Sequence, residues 1–329
     1  MNRTIKHLLC IAKLAPMAFV PAHRCRLLLG IAASLAISGA PAVAQSVQES
    51  KKSSDEELVK QLSNPIASLI SVPFQNNWDF HLGAGHGWRY DMNFQPVVPI
   101  QLNHEWTLIV RTIVPFIHQE DLLKGVLDQV TLPDDVVVRL KGKFSQSQTG
   151  LGDITQSFFL SPSKGLFGLT IGAGPVFLYP SATDELLGSG KWGAGPTVVI
   201  LKQVGGWTVG ALMNHIWSFA GEEQRTYVSR SFLQPFLAYA TKTKTTFTIN
   251  TESNYDWNAG QWTVPINFYV SQLIRIGKLP VSLQVGARYY AEARRTGPDW
   301  GLRFVVTPLF PATKALSHPV SNPEGKSSD

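Results

Sequence analysis

Residues 245–257 read TTFTINTESNYDW. Phe247, Ile249, Thr251, Ser253, Tyr255 and Trp257 alternate with Thr246, Thr248, Asn250, Glu252, Asn254 and Asp256. The first set is apolar, aromatic or at least uncharged; the second is polar or charged. Strict alternation is the period-2 signature of a β-strand with two unlike faces. In a soluble protein the apolar face meets a core. In a membrane barrel it meets lipid, and the polar face lines a lumen.

The pattern recurs on both sides of this stretch. WRYDMNFQPVVPI places Trp88, Tyr90, Met92, Phe94, Pro96, Val98 and Ile100 opposite Arg89, Asp91, Asn93, Gln95 and Val97. EWTLIVRTIVPFI sets Trp106, Leu108, Val110, Thr112, Val114 and Phe116 against Glu105, Thr107 and Arg111. VSLQVGARYY and WGLRFVVTPLF repeat it, with Arg288 and Arg303 on the polar side. About twelve such segments start near residues 77, 88, 105, 152, 166, 190, 207, 228, 245, 261, 280 and 300. Gln156, His215 and Gln234 break the pattern in the segments at 152, 207 and 228.

Connections alternate too. LNH, SKG, QVGG, TKTK and IGK are short, whereas 118–150, 181–189, 221–227 and 292–299 are longer. Short turns on one side and long loops on the other describe an all-β, transmembrane antiparallel barrel of about 12 strands, of outer-membrane type, with both termini periplasmic. The longest loop carries a segment, Leu132–Lys143, with the makings of a hairpin extension or an inward fold.

All nine tryptophans, Trp78, Trp88, Trp106, Trp192, Trp207, Trp217, Trp257, Trp262 and Trp300, fall at predicted strand ends. An indole has an apolar body and one N–H donor, which suits it to the boundary of hydrocarbon and headgroups. They form the expected aromatic girdle. Phe247 and Ile249 then face lipid. Gly168, Gly172, Gly174, Gly193 and Gly195 are expected on the inward face, leaving room or allowing curvature. Proline opposes the scheme, recurring inside strands at 96, 115, 175, 196, 235, 265 and 308. Each removes a ladder donor, and bulges are the expected accommodation.

The chain has 329 residues and a formal charge of +6. Residues 1–44 hold five basic residues and no acidic ones, so the remainder carries 24 basic against 23 acidic. A nucleic-acid partner has little support in that balance. Arg24 and Arg26 precede LLLGIAASLAISG, and Ala42-Val43-Ala44 offers a cleavage site before Gln45. Residues 1–44 thus read as a signal peptide, with Met17 as an alternative start. Cys10 and Cys25 both fall there, which removes disulfides and thiol chemistry from the mature chain. Residues 45–76 read as a periplasmic N-terminal segment, a plug or a cap, with a short helix near Asp55–Leu62. The barrel is expected over 77–310, and 311–329 as a disordered tail.

Taken together, NPIASLISVPFQNNWDF, GLGDITQSFFLSP, LLGSGKWGAGP, NHIWSFAG, FLQPFLAY, TESNYDW, QWTVPINFYVSQL and PDWGLRF resemble a family of Gram-negative outer-membrane transporters. These are related to the barrel proteins grouped with the meta-cleavage pathway of phenol degradation, and some members carry the label neuromedin U. The resemblance covers roughly residues 64–310 and implies location and fold more than chemistry. At the C-terminus the chain departs from the pattern, because 19 residues follow Phe310.

On the lumenal face the alternation places Arg89, Asp91, Asn93, Glu105, Arg111, Asp153, Lys191, Asn250, Glu252, Asp256, Arg288 and Arg303. Such charges can form an electrostatic constriction, or a self-neutralising network that fills a narrow barrel. The reading is a passive channel for small solutes, aromatic or amphipathic ones included. Its partners are outer-membrane lipid, the solute and the barrel assembly machinery, and it needs no cofactor. The alternative is a plugged binding or structural barrel. A lipid hydrolase built on Asn214, His215 and Ser218 is remote, because neighbours on a strand point to opposite faces. His81, His86, His104 and His118 lack ligand spacing for a metal, and the two short glycine loops at 83–85 and 150–152 are not followed by a helix pattern.

Overall fold

The computed structural model describes residues 55–83, 85–122, 130–132, 136–138 and 147–310. The expected signal peptide and C-terminal tail lie outside the described residues. Twelve antiparallel strands form a closed barrel. They are β1 (Phe74–Leu82), β2 (Gly87–Phe94, continued by Val97–Gln101), β3 (Trp106–Glu120) and β4 (Ser147–Leu151, continued by Ile154–Pro162). Then come β5 (Thr170–Tyr179), β6 (Lys191–Val204), β7 (Trp207–Gly221) and β8 (Ser229–Ala240). β9 (Thr245–Thr251, continued by Ser253–Asp256), β10 (Gln261–Ile276), β11 (Leu279–Glu292) and β12 (Trp300–Phe310) complete the wall. Each strand pairs with the next, and β12 closes on β1 from Trp300↔Phe80 to Val306↔Phe74.

Polarity settles what surrounds the barrel. Phe247, Ile249, Ile266, Phe268, Val285 and Phe304 are exposed on its outside, while Asn77, Asp79, Asn267 and Arg303 are buried inside. Soluble proteins invert this arrangement, since their buried residues are mostly apolar and their charges face water. A continuous apolar outer band with polar residues within is the transmembrane-barrel pattern. No helix among the described residues is long and apolar enough to cross a membrane.

Turns of seven residues or fewer join the strands at the end where β1 begins and β12 finishes, here called the near end: 102–105, 163–169, 205–206, 241–244 and 277–278. The longer connections gather at the far end. One of them contains a small hairpin, Val130–Leu132 with Val136–Val138. At the near end the turn expected at SKG is displaced. Leu166 and Leu169 exchange backbone hydrogen bonds in both directions, and Phe167 and Gly168 both have positive φ, 53° and 73°. That is the mirror-image two-residue turn favoured by twisted hairpins. Gly168 therefore sits in a turn, not on the inward face as expected, and the strand starts at Thr170.

Six of the seven in-strand prolines have a common explanation. Pro175 and Pro196 face one another across β5 and β6. The outer ladder of each is interrupted at the same height: β4–β5 pairing steps from Ala173↔Leu160 to Val176↔Ser157, and β6–β7 pairing from Ala194↔Trp217 to Thr197↔Asn214. Pro235 and Pro265 flank a matching gap around Glu252 in β9, and Pro265 also coincides with a register shift against β11. Pro96 separates the two parts of β2, and Pro115 faces the break in β4. Each missing donor points at a gap, so no ladder bond is forfeited.

A helix over 55–62 begins the described chain. Ile70–Ser71 follows as a two-residue strand paired to β12 (Ile70↔Phe310, Ser71↔Leu309) and to β2 (Ser71↔Val97).

Candidate functional site: a charged belt in the barrel lumen

Alternation decides which side chains reach the lumen. In β12, Trp300, Leu302 and Phe304 point outward, so Arg303 points in. Its Nη1 and Nη2 donate to the two carboxylate oxygens of Glu252, both at 2.7 Å, and its Nε donates to Asn77 Oδ1 at 2.6 Å. This is a bidentate pair, the strongest geometry open to the two groups. The guanidinium also lies over the Tyr269 ring at 5.0 Å. One layer away, Arg288 Nη1 is 3.2 Å from Asp79 Oδ1, and Nη2 is 3.9 Å from Glu252. The belt draws on β1, β9, β10, β11 and β12, five consecutive strands of the wall.

Glu252 reaches this position through the gap in β9, where ladder pairing lapses on both sides. Around the belt, Asp91 Oδ1, Asn267 Oδ1, Tyr269 Oη and Arg288 Nε are buried and have no protein partner. Their hydrogen-bonding capacity is not taken up by the protein.

A cavity of about 250 Å³ lies between the belt and the segment that precedes β1. Arg111, Gln95, Val97, Gln234, Phe236, Asn250, Glu252, Tyr269 and Arg303 line it, with Leu62 to Pro65, Ala67 and Leu69 from the N-terminal segment. Arg111 Nη2 donates to Gln95 Oε1 at 2.9 Å.

The N-terminal segment enters the near end of the barrel. Ile66 packs with Ile109, Phe159, Val199, Leu201 and Leu212 of the wall, and Val59, Ala67 and Leu69 pack with Leu273 and Leu309. Asp55 anchors the helix. It is buried, and it binds Lys244 Nζ at 2.5 Å and the Arg275 guanidinium, whose Nε is 3.0 Å away. Burial pushes the Asp55 carboxyl up, but the hydrogen bonds and charges of Arg275 and Lys244 outweigh it and hold it below the usual carboxylate range.

Of the lumenal residues expected from sequence, the structure brings Glu252, Arg288 and Arg303 into one network, with Arg111 and Asn250 on the adjoining cavity. Asn250 accepts a hydrogen bond from Asn267 Nδ2 at 2.8 Å. Asp91 and Arg89 lie on β2, opposite Asn77 and Asp79 in the register, and Asn93 lies opposite Gln75. Others lie apart. Glu105 is in the exposed turn between β2 and β3, not on a strand. Asp153 staples the 180–190 connection, accepting bonds from Ser189 N and Oγ, both at 2.6 Å. Lys191, at the far end, places Nζ over the Tyr227 ring at 4.7 Å. Asp256 pairs with Arg294 and accepts from the amides of Asn258 and Ala259. These last three stand near an open recess of about 590 Å³ lined by Arg225, Arg230 and Arg294, which Asp256 also lines.

Asn77, Asp79, Gln95, Asn267 and Tyr269 are the belt and cavity residues that sequence reasoning did not single out. The signal was present: Asn77 and Asp79 alternate with Trp78 and Phe80, and Asn267 and Tyr269 with Ile266 and Phe268.

Most tryptophans lie at the ends of the strands. Trp88, Trp192, Trp217, Trp257, Trp262 and Trp300 are at the far end, and Trp106 and Trp207 at the near end. Trp78 is the exception, in the middle of β1 with its ring 5.2 Å from Tyr90. Of the polar residues that broke the outward pattern, Gln156 is satisfied and His215 has a partner on one ring nitrogen only. Gln156 accepts from Tyr179 Oη and donates to Thr112, and His215 Nδ1 lies 2.7 Å from Ser231 Oγ beside the Trp217 ring.

No protein-family model matches the chain, and no characterised protein matches it by sequence. Solved structures do match in fold. The COG4313 outer-membrane channel from Pseudomonas putida F1 superposes with a TM-score of 0.53 at 15% identity, over 74% of this chain and 94% of that one. The NanC porin gives 0.43 at 9% identity, over 73% and 98%, and the Escherichia coli outer-membrane phospholipase A 0.40 at 11%, over 73% and 89%. At these identities the first likeness speaks for the fold alone, as an outer-membrane barrel.

Proposed function

We propose that the protein is an outer-membrane channel for the passive passage of small solutes, aromatic or amphipathic ones included, with both termini in the periplasm. The observation that carries this is the inverted barrel itself: an apolar exterior around a lumen crossed by a mixed-sign belt whose buried polar atoms still have bonds to make. A self-contained apolar core would leave no such atoms. The sequence resemblance to Gram-negative outer-membrane transporters and the fold shared with a COG4313 channel support the same reading. Because the belt mixes arginines and carboxylates, ion selectivity is weak. Outer-membrane lipid and the barrel assembly machinery are its other partners.

A specific observation favours the second reading, a plugged barrel. Ile66 is fully engaged with five wall residues inside the near end. Swelling of solute-loaded liposomes distinguishes the two. The channel reading expects uptake of small solutes by the intact protein and faster uptake after deletion of 51–72, which leaves β1 whole. No uptake by either form would contradict it.

The hydrolase reading has less to stand on. His215 meets Ser231 and not Ser218, and its Nε2 has no protein partner to orient the ring. Asn214 lies on the opposite face of β7. A Ser–His pair without an orienting group or oxyanion donors does not make a nucleophile.

A further inference from the structure

The cavity beside the belt has an unusual charge balance. Two arginines and one carboxylate line it, and the carboxylate, Glu252, is committed on both oxygens to Arg303. Arg111 is left with a neutral amide, Gln95, as its hydrogen-bond partner, and no carboxylate lies within ion-pair distance of it among the described residues. The one carboxylate that acts on it at longer range, Glu252, is already bonded to Arg303, and a largely enclosed guanidinium with no carboxylate in contact is costly unless something else supplies the charge. Tyr269 adds an independent sign. The residue is 2% exposed, it lines the same cavity, and its Oη has no protein partner.

The wall beside Arg111 is apolar. Val97 is its direct cross-strand neighbour, so both project to the same side, and Val97 packs with Phe236 against the inner cluster. At about 250 Å³ the cavity is near the lower end of small-molecule sites, which run from about 300 Å³ upward.

We propose that this cavity is a binding site for a small organic monocarboxylate with an apolar body. The carboxylate accepts from the Arg111 guanidinium and the Tyr269 hydroxyl, and the body lies against Val97 and Phe236. Arg303 and Glu252 neutralise one another and fix the floor of the site. The inference rests on the channel reading only in placing the cavity on a solute path; binding does not require conduction.

Titration calorimetry of the purified protein in detergent tests it, with benzoate as probe and benzamide as the neutral isostere. Benzoate is expected to bind saturably, and benzamide about ten- to a hundred-fold more weakly, the worth of one charge-assisted contact. Arg111→Gln should lose the preference and Arg111→Lys should recover part of it. Tyr269→Phe should weaken benzoate several-fold. If Arg111→Gln fails to fold, Gln95→Glu carries the test, because it supplies an internal carboxylate at the 2.9 Å position and should abolish benzoate binding in a folded barrel. Equal affinity for benzoate and benzamide, no benzoate binding at tens of millimolar, or undiminished binding in Gln95→Glu overturns the proposal. Liposome swelling on the same samples separates the two readings: uptake without benzoate binding sinks this site alone, and binding without uptake sinks the channel alone.

Discussion

Glu252 shows how much one residue can settle in this lumen. It sits where β9 drops out of both ladders, and it answers Arg303 bidentately and Arg288 at longer range. Removing its charge leaves Arg303 buried and unpaired, so Glu252→Gln should lower unfolding stability by about 3–5 kcal/mol. Urea titrations followed by gel mobility would measure it, and a change under 1 kcal/mol would show that the pair contributes little. The neighbouring pair Ile249 and Asn250 tests the two faces. Ile249 is exposed on the outer band, and Asn250 lines the inner cavity. Ile249→Arg should cost about 2–4 kcal/mol near the midplane, and Asn250→Arg much less. Equal costs would invert the assignment of faces. Most of the belt was legible from alternation, since a strand's period of 2 assigns faces without any knowledge of partners. Which charges meet was not, because Arg303, Glu252 and Asp79 are far apart in sequence: closure of β12 on β1 brings Asp79 to the belt, and Glu252 reaches Arg303 across the curve of β10 and β11.

At the scale of the strand, proline and glycine explain one another. Where Pro175 and Pro196 suspend the ladders, the partner backbone leans inward over a glycine. A Cβ on Gly174 would overlap the carbonyl oxygen of Phe158, and one on Gly195 that of His215. Gly195→Ala must therefore shift a neighbouring strand, and it should destabilise the barrel by about 1–3 kcal/mol. Pro196→Ala, which restores a donor facing a gap, should change stability by less than about 1 kcal/mol. Comparable losses from the two substitutions would remove the account of the gaps. Strand starts were readable to within five residues, from 77 against Phe74 through 300 against Trp300. The largest misses fall at 152, where a one-residue bulge interrupts β4, and at 166, where a tight turn imitates the start of a strand. Alternation persists through the turn, so nothing in the periodicity reports it, whereas the bulge shifts its phase by one, with Leu151 outward before it and Leu160 outward after it. The anchoring helix makes a pH prediction. The folded pKa of Asp55 lies below its unfolded value of about 3.9. Its contribution is therefore complete above that value and is lost as pH falls through the folded pKa. Proteolytic sensitivity of 55–73 should rise below about pH 4, and Asp55→Asn should show the same sensitivity at neutral pH. An Asp55→Asn protein as resistant as the parent would mean that the ion pairs do not hold the segment.

As a whole, the molecule combines a wall that faces lipid with an interior divided in two. One part is apolar and filled by the segment around Ile66; the other is polar and carries the belt and its cavity. The sequence announced the wall through repeated alternation and through tryptophans at strand ends. It did not announce the division, because apolar inward residues such as Ile109, Phe159 and Val199 read as imperfections in a polar face until Ile66 is seen packed against them. The central claim is that the polar half of this lumen passes solutes. Planar-bilayer recording on refolded 45–329, using material that first shows heat-modifiable gel mobility, tests it most directly. Discrete conductance steps with reversal potentials near zero in a salt gradient are the expected result, with larger steps once 51–72 is deleted. A folded barrel that gives no steps, with or without that segment, would contradict the account.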